Sequence, residues 1–155
     1  MTVEAAVGKL GRELKRLKDE LEAVRVTVVE DRPSGDQAVV ADRLGDAVEE
    51  LVGWSVEAVA AAEKMREAVV GERVKSRLVR KSLGESQRSF HRVLQRYNEL
   101  VSYARIAELM QLARERRGEW PAWVTAVRKG LEKCREPLEA VAEAYLECWE
   151  EIAER

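Results

Sequence analysis

VEAAVGKLGRELKRLKDELEAVRVTV, residues 3–28, decides the fold class. Val3, Val7, Leu10, Leu14, Leu17, Leu21, Val24 and Val28 alternate spacings of four and three without a miss. On a helix of 3.6 residues per turn those positions form one stripe, and the repeat is that of a coiled-coil seam. Lys9, Arg12, Glu13, Lys15, Lys18 and Glu20 take the remaining faces, as a water-facing surface requires. The stretch reads as one amphipathic helix over about 3–30. DRPSGD (31–36) stops it, because Pro, Ser, Gly and Asp cluster there into a turn.

Working outward, a second helix is expected over about 36–82. It carries Val40, Leu44, Ala47, Leu51, Trp54, Ala58, Ala61, Met65 and Ala68 on one seam, and Val48, Val52, Val56 and Val59 beside it. So wide an apolar face predicts burial on two sides. Its end has two candidates, Gly71 and SLGES (82–86). The second is preferred, since Gly84 suits a helix stop and Ser86 a helix start. A third helix, over about 86–117, turns Phe90, Val93, Tyr97, Leu100, Ala104, Ala107 and Met110 inward. RRGEWPAW (116–123) ends it, with Gly118 as the stop and Pro121 as a first helical position. A fourth, over about 121–154, has the seam Val124, Val127, Leu131, Cys134, Leu138, Val141, Tyr145, Cys148, Ile152. Pro137 lies inside it and has no N–H to donate, so a kink or short break is expected near Lys133–Glu136. Four amphipathic helices on short turns predict an all-α antiparallel bundle in a single domain, 1–155. Long helices with heptad seams also self-associate, which makes a homodimer a further expectation.

Composition narrows the class. The 155 residues are 46% hydrophobic and 36% charged, a charge fraction that suits long amphipathic helices. A net charge of −2 gives no bulk attraction to polyanions. The chain is charged from Glu4 onward, unlike a secretory signal, and no apolar run approaches the roughly 18 residues of a membrane span. Cys134 and Cys148 would stand about 21 Å apart on one continuous helix, beyond disulfide reach. A cytoplasmic, reducing setting without membrane contact is the expectation.

Two charged stripes stand out. RVKSRLVRKSLGESQRSFHRV (73–93) holds seven Lys or Arg against one Glu. At 100° per residue Arg73, Arg77, Arg80, Lys81, Arg88 and Arg92 fall within an arc of about 120°. Such a stripe suits phosphate or carboxylate. Its one phenylalanine, Phe90, points to the apolar side, so the base-stacking chemistry of a single-strand binder is missing. Residues 136–155 hold seven Glu against one Arg, and Glu136, Glu139, Glu143, Glu147, Glu150, Glu151 and Glu154 form an opposite stripe. Three arrangements are open: the stripes meet within one molecule, they meet between protomers, or each takes a separate partner. Trp120 and Trp123 flank the proline turn, either stapling it to the bundle end or standing exposed as docking anchors.

Catalytic motifs are scarce. His91 is the only histidine and sits beside the basic stripe, which excludes a His-rich metal site. There is no Glu-x-x-His pair, Gly-rich phosphate loop, G-x-S-x-G, C-x-x-C or H-E-x-x-H. The acidic segments LKDELEAV (17–24) and ADRLGDAVEEL (41–51) resemble the paired helices of the MazG-type all-α nucleoside triphosphate pyrophosphohydrolases. Members of that family hold Mg²⁺ with four carboxylates on two facing helices. The resemblance implies a magnesium-dependent nucleotide hydrolase with Asp19, Glu22 and Asp46 as ligands. Arg43 stands where the pattern has a carboxylate, and Asp42 is one residue, about 100°, around the helix.

The expected function is non-enzymatic: an adaptor, small subunit or regulator without cofactor or metal, binding a protein partner through helix faces. The contact residues are Arg73, Arg77, Arg80, Lys81, Arg88 and Arg92, with Trp120 and Trp123 second. The runner-up is a small helical subunit lying along an RNA or DNA backbone through 73–92, and the third reading is the nucleotide pyrophosphohydrolase.

Overall fold

The computed structural model describes residues 2–34, 38–69 and 76–153. Five helices account for nearly all of them: α1 (Val3–Arg25), α2 (Ala38–Val69), α3 (Ser76–Arg114), α4 (Glu119–Lys133) and α5 (Arg135–Ala153). α4 and α5 form one kinked arm, so the fold is an all-α bundle of four helical arms, with no strand among the described residues. Among those residues no helix is long and apolar enough to cross a membrane.

The α1 seam is the centre of the core. Thr2 opens the helix, its hydroxyl accepting from the Ala5 N–H at 3.0 Å, one of the four N–H groups a helix start leaves unpaired. All eight seam residues are buried, and Leu10, Leu14, Leu17 and Leu21 are sealed from water. α2 packs along α1 on one side and α3 on the other, while α1 also packs against α5 and α3 against α4. Ion pairs fix the directions. Lys15 meets Glu63 and Arg25 meets Glu49, so α1 and α2 run antiparallel. Lys9–Glu147 with Arg16–Glu136 does the same for α1 and α5.

The last turn of the first arm is wound more widely than expected. Val26–Glu30 is π-helical, closed by the Asp31 N–H on the Val26 carbonyl at 3.1 Å. The arm still ends at the predicted turn. The start expected at Asp36 lies outside the described residues.

The break between the second and third arms corrects the expectation. α3 runs unbroken through SLGES, whereas the described part of α2 stops at Val69. The reason is Ser86. It is completely buried, and its hydroxyl, instead of capping a helix start, donates to the Ala58 carbonyl at 2.8 Å and meets the Tyr145 hydroxyl at 2.8 Å. Core contacts through Leu83, Ser86 and Phe90 outweigh the roughly 0.5–1 kcal/mol that a helical glycine costs. The other candidate, Gly71, lies outside the described residues. An added methyl at Gly84 would meet nothing within 4 Å. Gly84→Ala should therefore raise the unfolding free energy by about 0.5–1 kcal/mol in urea titration.

Two further positions differ. Val56, expected on the second stripe of α2, is 48% exposed. Met110, expected inward, is 62% exposed, and Gln111 takes the buried place. The seam 93, 97, 100, 104, 107 continues by four and not by three, so it reaches 111. α3 ends at Arg114, short of Arg117, and Gly118 with φ 139° serves as the N-cap of α4, which places Pro121 in its first turn.

The kink falls at Cys134, within the predicted window. Pro137 lacks the N–H that would bond the Lys133 carbonyl, and the turn tightens instead, the Cys134 N–H reaching Leu131 at 3.1 Å. Tyr97 donates its buried hydroxyl to the same Leu131 carbonyl at 2.6 Å. Cys134 and Cys148 are free and buried, and burial pushes both thiols up to about 12, the Glu20 and Glu147 carboxylates adding to it. A raised thiol pKa means that the unfolded chain loses its protons first. The stabilising effect of keeping the thiols neutral is intact below pH 9 and is lost as pH climbs from 9 toward 12. Stability should fall above pH 9 by up to about 1.4 kcal/mol per pH unit per thiol. Urea midpoints at pH 7, 9 and 10 check this, and replacing both cysteines by alanine should flatten the slope.

Candidate functional site

α3 is held to the bundle by Val79, Leu83, Ser86, Phe90, Val93 and Tyr97, all buried on one side. Arg77, Lys81, Arg88 and Arg92 lie on the opposite side, with Arg80 at its edge, and all five are exposed. Other cations do structural work between helices: Lys9 with Glu147 at 2.9 Å, Arg16 with Glu136 at 3.0 Å, Arg96 with Glu50 at 3.4 Å and Arg128 with Glu108 at 2.7 Å. The Glu147 hydrogen bond raises the Lys9 pKa above its ordinary value. By contrast, among the described residues none of Arg77, Arg80, Lys81, Arg88 and Arg92 pairs with a carboxylate. Arg73 lies outside the described residues.

The acidic stripe divides. Glu136 and Glu147 turn to α1, and Glu139 reaches Arg135 on its own helix at 3.4 Å. Glu143 and Glu150 are exposed and unpaired among the described residues. Glu154 lies outside them. Among the described residues the two stripes do not pair with each other. The edge where α3 touches α5 is made by Ser86 and Phe90 against Tyr145, and by Gln87, whose amide oxygen accepts from the Trp149 indole at 2.8 Å. Leu146, 61% exposed, stands on the α5 side of that edge.

An apolar strip continues the outer side of α3 toward its C-terminus. Ile106, Leu109 and Met110 are each more than half exposed, and Tyr103 is partly buried beside them. On the helix they share an arc of about 120° with Arg77, Lys81, Arg88 and Arg92. Tyr103 also lines a shallow groove of about 390 Å³ between α2 and α3, with Arg43, Asp46, Ala47, Arg96 and Glu99. One helix side is thus basic over its first half and apolar over its second. Sequence reasoning passed over the apolar half, although the spacing of Tyr103, Ile106 and Met110 carried the signal.

The tryptophans resolve toward the staple. Trp123 is buried, and its indole donates to the Thr27 carbonyl at 2.8 Å. Thr27 lies in the last turn of the first arm, where carbonyls run out of helical partners. Trp120 is partly buried and meets Trp123 edge to face at 5.5 Å. Trp123 is therefore not available as a docking anchor. The acidic constellation does not assemble either. Glu22 is held by Arg25 at 2.6 Å, Asp46 lies at the rim of grooves on both sides of α2, and among the described residues no three His, Cys, Asp or Glu are grouped to hold a metal ion.

The chain matches no protein-family model, no curated protein and no solved structure.

Proposed function

We propose that the chain is a non-enzymatic interaction protein, an adaptor or small subunit, that presents the outer side of α3 to a protein partner. The observation that carries this reading is the segregated helix side itself: exposed cations without an internal partner among the described residues, followed by partly buried Tyr103 and exposed Ile106, Leu109 and Met110. Cations meeting carboxylates set orientation and partner choice, and an apolar segment supplies buried area. A phosphate backbone would use the cations and leave the apolar half idle, and Phe90 is buried where a stacking ring would be wanted.

The test is recovery of partners by the tagged protein from its native host, with and without nuclease. Wild type should retain a stoichiometric protein after nuclease treatment. Arg77→Glu with Arg80→Glu should weaken that complex by at least tenfold while leaving the helical circular dichroism unchanged. Loss of all partners on nuclease treatment would overturn the proposal in favour of a nucleic-acid backbone.

A further inference from the structure

We infer that the occupant of the basic stripe is a second copy of this chain, seated through its own acidic α5. The inference rests on reading the stripe as a protein-binding surface and names what binds there. The first half of α3 and the length of α5 lie side by side, joined at the edge formed by Phe90, Tyr145, Gln87 and Trp149. Outward from that edge one ridge carries Arg77, Arg80 and Arg88, and the parallel ridge carries Glu139, Glu143 and Glu150. One bundle face thus bears both signs, arranged as two stripes of similar length, about 16 Å each. Among the described residues the stripes do not neutralise each other.

Symmetry makes that face complementary to itself. A two-fold axis lying in the interface, parallel to the helices, sets the arginine ridge of each copy against the glutamate ridge of the other. An axis perpendicular to the helices would set like charge on like charge, so the charge pattern selects the first arrangement. Leu146, exposed beside Glu143 and Glu150, gives the centre of the face an apolar contact that a purely ionic pairing would lack. The apolar strip at Tyr103–Met110 lies further along the same side of α3, about 22 Å or more past Arg88, with Tyr103 at the α2–α3 groove. Beyond the charged ridges it stays open in the dimer, so each pair of chains would offer two such strips to other proteins.

Sedimentation velocity of the purified full chain tests this. Wild type should be a dimer at about 50 mM salt, and raising salt to about 500 mM should weaken it at least tenfold, since screening falls on exposed charge pairs. Arg80→Glu with Arg88→Glu should be monomeric, and so should Glu143→Lys with Glu150→Lys. Mixed in equal amounts, the two variants should form a dimer again, because each then meets the opposite sign on both ridges. Should a reversal disturb folding, the neutral versions Arg80→Gln with Arg88→Gln and Glu143→Gln with Glu150→Gln should weaken the dimer by a smaller factor. A wild type that stays monomeric at low salt up to ~100 µM, or variants that fail to pair on mixing, would overturn the dimer. Binding of the monomer to an acidic peptide or to duplex RNA would do the same and assign the stripe to that ligand. A monomer that still loses its native protein partner on Arg77→Glu with Arg80→Glu would overturn the dimer alone and leave the proposed function standing.

Discussion

Trp123→Ala should lower the unfolding free energy by about 3–5 kcal/mol, read from urea titration, the largest loss expected of any tryptophan here. The indole is buried between α4 and the last turn of the first arm, packs edge to face on Trp120, and satisfies the Thr27 carbonyl. Trp123→Phe separates the contributions. It keeps most of the ring's packing and removes the N–H, and should cost about 1 kcal/mol, as the carbonyl is at a helix end that water can reach. Neither variant should change the affinity of a protein captured by the basic stripe, provided the chain remains folded under the assay conditions. A stable Trp123→Ala protein that loses its partner would restore Trp123 as a docking anchor.

Tyr145→Ala should be comparably damaging, by about 3–5 kcal/mol, since it empties one of the largest sealed sites in the core. The ring lies 5.3 Å from Phe90. Its hydroxyl is the donor to Ser86, because Ser86 has a single proton and gives it to the Ala58 carbonyl. Burial holds the phenol neutral well beyond its ordinary range. Tyr145→Phe should therefore cost only about 1 kcal/mol, because Ser86 retains its carbonyl. Thermal denaturation of the two variants measures the difference. Equal losses would mean that the hydroxyl bridge between α2, α3 and α5, and not the ring, holds that layer together.

The seams of α1 and of the α4–α5 arm were legible residue by residue, because an unbroken heptad admits one buried face. The kink at Pro137 was legible for a covalent reason, the absent N–H. The α2–α3 boundary was not. Gly84 and Ser86 have the composition of a helix junction, and only the positions of Ala58 and Tyr145, distant in sequence, show where the Ser86 hydroxyl is used. Met110 and Gln111 exchanged places for a related reason, since a tail of a long helix past its heptads offers two neighbouring registers. The exposure of the basic stripe could be read from spacing. Its lack of internal acid partners could not, because that depends on which carboxylates α1 takes from α5.

The pairing of α1 with α5 has a consequence for how the chain is made. Lys9 meets Glu147 and Arg16 meets Glu136, so α1 takes as its neighbour a helix made more than a hundred residues later. Until α5 leaves the ribosome, one flank of the Leu10–Leu14–Leu17 ridge has nothing to lie against. α1 and α2 emerge early, as a hairpin short of its full core. The nascent protein should thus stay sensitive to protease, and attractive to chaperones, until α5 is out.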